Sequence, residues 1–175
     1  MPAEVHMSLA VQILDYKSSS FAPPPIFDLR PSRKIDVLNG TGIGQCDQTY
    51  MGRRSLASGA SEIVDLNGTA TKDTFGSNLA FLTLCMIYII NEDVEGGAAN
   101  TTNLTIGGGT NPVVGAIGTS GADTKLIRPG GVHLDYNFGT SGIATVVVAT
   151  GDELTITNAA GATNNYQIIL VGRST

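Results

Sequence analysis

The chain has 175 residues, of which 42% are apolar, 14% are charged and 22 are glycine, with no tryptophan. A chain of this length is one domain, or one domain with an arm, and buries about two-thirds of its surface on folding; the apolar fraction excludes global disorder, and glycine without a period of three excludes collagen. The net charge of −5 is uneven, with six Lys/Arg against five Asp/Glu in residues 1–60 and four against ten in the remainder, so the acidic body is unsuited to wrapping a phosphate backbone.

Residues 1–48 read as an arm or connector with short strands. Leu9 to Leu14 suggests one strand, interrupted by Ser18 to Ser20 and then Pro23-Pro24-Pro25. Three prolines lack amide donors and favour extended polyproline geometry, which rules out a helix interior or a central strand. Such an arm becomes ordered only by lying on another surface. The chain resumes with a short strand at Ile35, Val37 and Leu38, and Asn39-Gly40 supplies the positive φ of a tight turn.

From residue 49 to 175 the pattern is steady. Thr49-Tyr50-Met51 opens a strand with Tyr50 as its anchor, and Glu62 to Leu66 is another, closed by Asn67-Gly68. Phe81 to Ile90 is almost wholly apolar, as expected of a strand buried on both faces. Leu104 to Ile106 and the edge-like Lys125 to Arg128 follow. Val132, Leu134, Tyr136 and Phe138 then alternate with His133, Asp135 and Asn137, which predicts one face in the core and one in water or at an interface. Tyr88 and Tyr136 are assigned to the core. Ile143 to Val148 is a β-branched strand. Glu153 to Thr157 turns Leu154 and Ile156 inward, and Tyr166 to Val171 does the same with Ile168 and Leu170.

These segments amount to seven to nine short strands, with no helical apolar stripe. The expected fold is all-β: an antiparallel β-sandwich, with a jelly roll chosen because eight strands in two sheets suit the count, carrying an extended N-terminal arm.

Chemistry is sparse. His133 and Asp135 share a strand face and could orient a general base, but no nucleophile elbow accompanies them, and a surface pair is the simpler reading. His6 lies near the chain start. Asp152-Glu153 and the cluster from Glu92 to Glu95 lack the alternating ligands of a calcium loop. Gly42-Ile43-Gly44 and Gly107-Gly108-Gly109 lack the residues of a phosphate loop. Cys85 reads as a buried thiol and Cys46, in a Gly-rich loop, as one open to solvent. Two cysteines are too few for a disulfide-framed scaffold. The sequons at Asn39, Asn67, Asn100 and Asn103 follow from Asn and Thr frequency. No signal peptide is visible, and the longest apolar run, Leu84 to Ile90, falls far short of the roughly 20 residues of a spanning helix. The reading is therefore of no catalytic, cofactor or metal residues, no cofactor, and neither nucleic acid nor membrane as partner. The basic pairs Arg33-Lys34 and Arg53-Arg54 are ordinary surface or interface charge.

Residues 39–90, from Asn39-Gly40-Thr41-Gly42 through Arg53-Arg54-Ser55-Leu56-Ala57-Ser58-Gly59-Ala60, Asp65-Leu66-Asn67-Gly68 and Phe75-Gly76, resemble small structural proteins of tailed bacteriophages. So do Leu104 to Gly109, Arg128-Pro129-Gly130-Gly131, Gly151-Asp152-Glu153-Leu154 and the strand from Tyr166 to Gly172. The resemblance covers about residues 35–172 and omits Pro23 to Pro25. It implies a non-enzymatic virion component, a capsid decoration or cement protein that bridges capsomers, assembled in the host cytoplasm. Its implied partners are the major capsid protein and other copies of itself, as a homotrimer or homodimer. The arm, the Leu9 to Leu14 strand and the Arg53-Arg54 loop are the expected contact surfaces. The alternative is a tail, neck or fibre component binding a host surface or glycan.

Overall fold

The computed structural model describes residues 5–10, 13–16, 26–29, 32–73, 75–92 and 99–175. All the regular structure among them is extended. The strands are β1 (Val5–Ala10), β2 (Ile13–Tyr16), β3 (Ile26–Leu29), β4 (Ser32–Asn39), β5 (Gln45–Cys46), β6 (Gln48–Leu56), β7 (Ser61–Asp65) and β8 (Asn67–Lys72). They continue with β9 (Asn78–Ala80), β10 (Thr83–Ile90), β11 (Leu104–Gly107), β12 (Thr124–Ile127), β13 (Val132–Tyr136), β14 (Ala144–Thr145), β15 (Glu153–Asn158) and β16 (Asn164–Arg173).

Two antiparallel sheets face each other as a β-sandwich. One runs β13-β10-β16-β6, with β14 also pairing β10; the other runs β12-β11-β15-β7. Taking in chain order the eight strands that form the main path of these two sheets, the first pairs with the last (β6 with β16), the second with the seventh (β7 with β15), the third with the sixth (β10 with β13) and the fourth with the fifth (β11 with β12). Alternation then fixes the core. Tyr50, Ile87, Ile89, Ile168 and Leu170 meet Val64, Leu104, Ile106, Ile127, Leu154 and Ile156 from the opposite sheet, all buried. The inward positions expected of Tyr50, Leu154, Ile156, Ile168 and Leu170 are the ones observed.

β10 is buried on both faces because a second layer lies outside its sheet. Val37 of β4 and Cys46 of β5 close over Met86 and Val171, with Ile35, Leu134, Tyr136, Phe138 and Ile169 packed around them. β4 pairs antiparallel with β1 and parallel with β5, and among the described residues β2 pairs only with β3. Asn39-Gly40 therefore begins a wider loop instead of a tight hairpin, with Gly40 at φ 140° and its amide donating to the Cys46 carbonyl at 3.0 Å.

Several expectations need correction. Leu9 to Leu14 divides between β1 and β2, while residues 11 and 12, like Ser18 to Ser20 and Pro23 to Pro25, lie outside the described residues. Ile143 to Val148 contributes only the two-residue β14, because Val147 to Gly151 closes a tight turn with Ala149 at φ 64°. Eleven strands follow residue 47 instead of seven to nine, the excess being short pieces such as β9 and β14. Leu134, Tyr136 and Phe138 do share a side, but it is the outer one, under β4, and Val132 beside them is 53% exposed. Tyr88 and Tyr136 are only half-buried. The polar face carrying His133 and Asp135 is the one turned towards the opposite sheet, since these residues pair with the core residues Ile89 and Ile87. β13 is the edge of its sheet, so polar side chains there reach the rim of the sandwich, while the second layer makes the outer side the drier one.

One end of the sandwich is closed by buried asparagines. Asn158 Nδ2 lies within reach of the carbonyls of Leu56 (3.1 Å), Ala57 (2.9 Å) and Ala162 (2.8 Å), and its Oδ1 accepts from Thr102 Oγ1 at 2.7 Å. Asn164 Nδ2 donates to Asn91 Oδ1 (2.9 Å) and the Thr102 carbonyl (2.9 Å), and Asn91 Nδ2 donates to the carbonyls of Thr102 and Ile127, both at 3.0 Å. Loop backbone that pairs with no strand is satisfied in this way, as buried polar groups require. At the other end Arg173, 2% exposed, donates to the carbonyls of Gly42 (3.1 Å), Gly139 (2.8 Å) and Thr140 (2.8 Å), binding two loops to the end of β16.

Asn158→Ala strands several buried carbonyls and the Thr102 hydroxyl, and should lower unfolding free energy by about 2–3 kcal/mol in urea titration. Gly172 leaves no room for a methyl group, which would collide with the Thr83 carbonyl and the Phe81 ring. Gly172→Ala should cost about 1–3 kcal/mol by the same assay.

Candidate functional site

The residues singled out from the sequence are scattered. His6, on β1, pairs through Nδ1 with Asp36 of β4 at 2.8 Å, and that imidazole together with Lys34 holds the Asp36 carboxyl below its ordinary range. His133 lies across the molecule on β13. Burial pushes its pKa down, Asp135 opposes the shift and Lys125 of β12 adds to it. Its Nε2 is buried without a hydrogen-bond partner. The imidazole is therefore neutral at pH 7, beside a carboxylate and facing the rim between two sheets.

The acidic positions act locally. Asp152 accepts the Ala149 amide at 2.6 Å and so holds the turn, while Glu153 accepts the Asn111 amide at 3.2 Å. Asp93 and Glu95 lie outside the described residues. Among the described residues no group of three or more His, Cys, Asp or Glu is placed to hold a metal ion, and no helix is long and apolar enough to cross a membrane. The Gly42 to Gly44 loop receives the Arg173 guanidinium on its carbonyl. Of the sequon residues, Asn100 is buried, with Nδ2 donating to Asn91 Oδ1 at 2.8 Å, and Asn67 Nδ2 donates to the Phe81 carbonyl at 2.8 Å. Both thiols are buried, which corrects the solvent-open reading of Cys46: it lies in β5 of the second layer, facing the sheet, and burial, with Cys85 nearby, raises its pKa to about 11.

Arg53 and Arg54 belong to β6 and not to a loop, so they point to opposite sides. Arg54 turns inward, where Nε donates to the Tyr50 hydroxyl at 3.1 Å and the guanidinium lies 5.7 Å from the ring centroid. Burial works against its charge, but Tyr50 and Glu62 offset that and keep it protonated. Tyr166 donates its hydroxyl to Glu62, whose carboxyl burial has shifted upward. These four side chains plug the open rim between β6 and β7.

Arg53 turns outward, and a groove of about 260 Å³ lies beside it, lined by Arg53, Arg54, Ser55, Glu92, Asn165, Tyr166 and Gln167. Register explains the convergence: Arg53 pairs with Gln167 and Ser55 with Asn165 across β6 and β16, while Glu92 follows the end of β10. Nothing in the sequence alone signals this groove, because its residues come from three separated segments.

A second feature is an apolar end. Ile43, Leu82, Val114, Val147 and Val148 are 73%, 38%, 47%, 53% and 54% exposed. Backbone bonds gather them where β10 begins: Gly44 to Phe138, Leu82 to Arg173, Val146 to Leu82 and Val113 to Glu153. The charged Arg173 at this end is buried. No protein family, curated protein or solved structure matches the chain.

The buried His133 carries a testable consequence. Its folded pKa lies below the unfolded value of about 6.5, so the unfolded chain binds more protons as pH falls. Its contribution to stability is intact above about pH 6.5 and is lost as pH drops through the folded value. The thermal midpoint should decline between pH 7 and 5, and His133→Gln should flatten that decline relative to the parent chain.

Proposed function

We propose that this chain is a non-enzymatic structural component of a tailed-phage virion, a jelly-roll decoration or cement protein seated on the capsid. The observation that carries the proposal is the nested order of the eight strands on the main path of the two sheets, first with last and fourth with fifth. A five-stranded and a four-stranded sheet connected in this nested way support a jelly-roll reading, an architecture that recurs in viral capsid domains. The apolar end supports the assembly reading. Scattered surface hydrophobics are ordinary, but several exposed apolar side chains gathered at one end are the composition of a protein interface.

The partners in this reading are the major capsid protein and further copies of the chain, as a homotrimer or homodimer. The N-terminal segment acts as an attachment arm. Its pairing supports this: among the described residues β2 and β3 bond only to each other, and β1 bonds only to β4. Neither element is part of the sandwich, so a neighbouring subunit is the surface that repays their ordering, about 1–2 kcal/mol per residue in backbone entropy.

Mass photometry of the purified chain should report a dimer or trimer. Val147→Asp with Val148→Asp should shift it to monomer with little change in thermal midpoint, since both side chains are exposed. A strict monomer at high concentration overturns the self-assembly part, and cryo-electron microscopy of the particle without this density on the capsid lattice overturns the location.

A further inference from the structure

We propose that Cys46 and Cys85 form a disulfide site, a pair of thiols that join on oxidation and staple the second layer to the sandwich. The inference goes beyond the virion role and does not depend on it.

The backbone brings the two residues together. The segment from residue 44 to 47 is bonded at both ends: the Gly44 amide donates to the Phe138 carbonyl at 2.9 Å, and the Asp47 amide to the Gly172 carbonyl at 3.2 Å. Phe138 lies just beyond β13 and Gly172 is in β16, and these are the strands that flank β10. Strands two places apart in a sheet are separated by about 9–10 Å, and three steps of extended chain reach about 10 Å. The segment therefore crosses over β10 without slack. The point of β10 between its anchors is Cys85, whose carbonyl accepts the Asn137 amide at 2.8 Å and whose neighbour Leu84 pairs with Gly172. Asp47, next to Cys46, is already bonded to the sheet, so Cys46 lies nearer to β10 than the roughly 10 Å of stacked sheets.

The side chains agree with that placement. The pairing of β10 with β16 passes from Leu84 opposite Gly172 to Met86 opposite Val171 and skips Cys85, and an extra residue of this kind re-aims a side chain. Leu84 and Ile87 face the opposite sheet, whereas Met86 faces the second layer, where Cys46 packs with it. Both cysteines are fully buried. The charges felt by Cys85 come from the second-layer side: Arg173, which is bonded to the Gly42 carbonyl ahead of β5, and Asp47. Asp47 and Cys85 in turn act on Cys46. Burial is the main influence on both thiols and raises their pKa values, so in the closed fold they are protonated and slow to react, and oxidation proceeds when the second layer lifts.

The oxidant is a small disulfide such as oxidised glutathione. One cysteine thiolate attacks it, forming a mixed disulfide and expelling a glutathione thiolate. The other cysteine attacks the protein sulfur of that mixed disulfide and expels the second. Two S–H bonds are lost and one S–S bond joins the cysteines, while the oxidant takes both electrons and both protons and leaves as two thiols. The cross-link closes a loop of about 40 residues. It fixes β5 to β10 where the second layer otherwise rests on the packing of Val37, Cys46, Met86 and Val171.

Oxidation of the full, reduced chain with oxidised glutathione below its melting transition tests the proposal. Incubation continues until N-ethylmaleimide has labelled both thiols in a parallel sample, so that access is assured. The oxidised chain should then take up no maleimide after denaturation, weigh two hydrogens less than the reduced chain, stay monomeric on a non-reducing gel and yield a peptide linking Cys46 to Cys85. Its thermal midpoint should exceed that of the reduced chain by roughly 5–10 °C. Cys46→Ala and Cys85→Ala should each carry one glutathione instead and lose that redox-dependent shift. The proposal fails if the parent chain ends with two glutathiones, with free thiols or as a cross-linked dimer. It also fails if the linked chain melts no higher than the reduced one, because the bond is then not a staple of the native fold.

Discussion

The structure depends on β16. Its ten residues bond to β10 on one side and β6 on the other, and it is the last strand of the chain. Tyr166, Ile168 and Leu170 fill the space between the sheets, while Ile169 and Val171 form the floor for the second layer. The first and last strands of the sandwich therefore lie side by side, β16 inside its sheet and β6 at its edge. Neither the core nor the outer layer can form until both ends of the sandwich have come together, which makes this a fold of non-local contacts. Gly172 allows the strand to end against Phe81 and the Thr83 carbonyl, and Arg173 then fastens the surrounding loops.

The same geometry divides the surface. Polar side chains at the two rims, Arg54 with Tyr50 and Glu62 on one side and His133 with Asp135 on the other, close a sandwich whose sheets have open edges. Edge strands invite unwanted pairing, and charge along them is a common protection. The buried asparagines do for one end what these side chains do for the rims. At the opposite end the buried Arg173 and Asp152 hold the loops, and Ile43, Val147 and Val148 stand exposed beside them.

Much of the fold was legible from period-two alternation. Leu154 and Ile156, and Ile168 and Leu170, read correctly because alternation reports burial wherever a strand is covered on known sides, while of the Phe81 to Ile90 segment only Thr83 to Ile90 forms the strand and Leu82 is exposed. The same rule misread His133 to Phe138. The two faces were separated correctly and then assigned to the wrong surroundings, because alternation says which residues share a side and not what lies on that side. A second layer over the outer face reversed the expected assignment. Cys46 was misplaced for the same reason: a glycine-rich loop looks exposed until a strand of the second layer is found there. The asparagine network was missed because Asn91, Asn100, Asn158 and Asn164 look like turn residues in sequence, and only folding brings the first two and Asn164 within about 3 Å of one another and joins Asn158 to them through Thr102.

The sequence by itself determined that the chain is all-β, where most long strands lie and which side chains share a face, since these follow from local stereochemistry and the pleat. The tertiary structure alone decided which strands are neighbours, that β4 and β5 cover the outside of a sheet, and that Arg53, Glu92 and Gln167 meet in one groove. The reason is physical. Strand pairing joins residues more than 100 positions apart, as with Arg53 and Gln167, and no local preference encodes a partner at that distance.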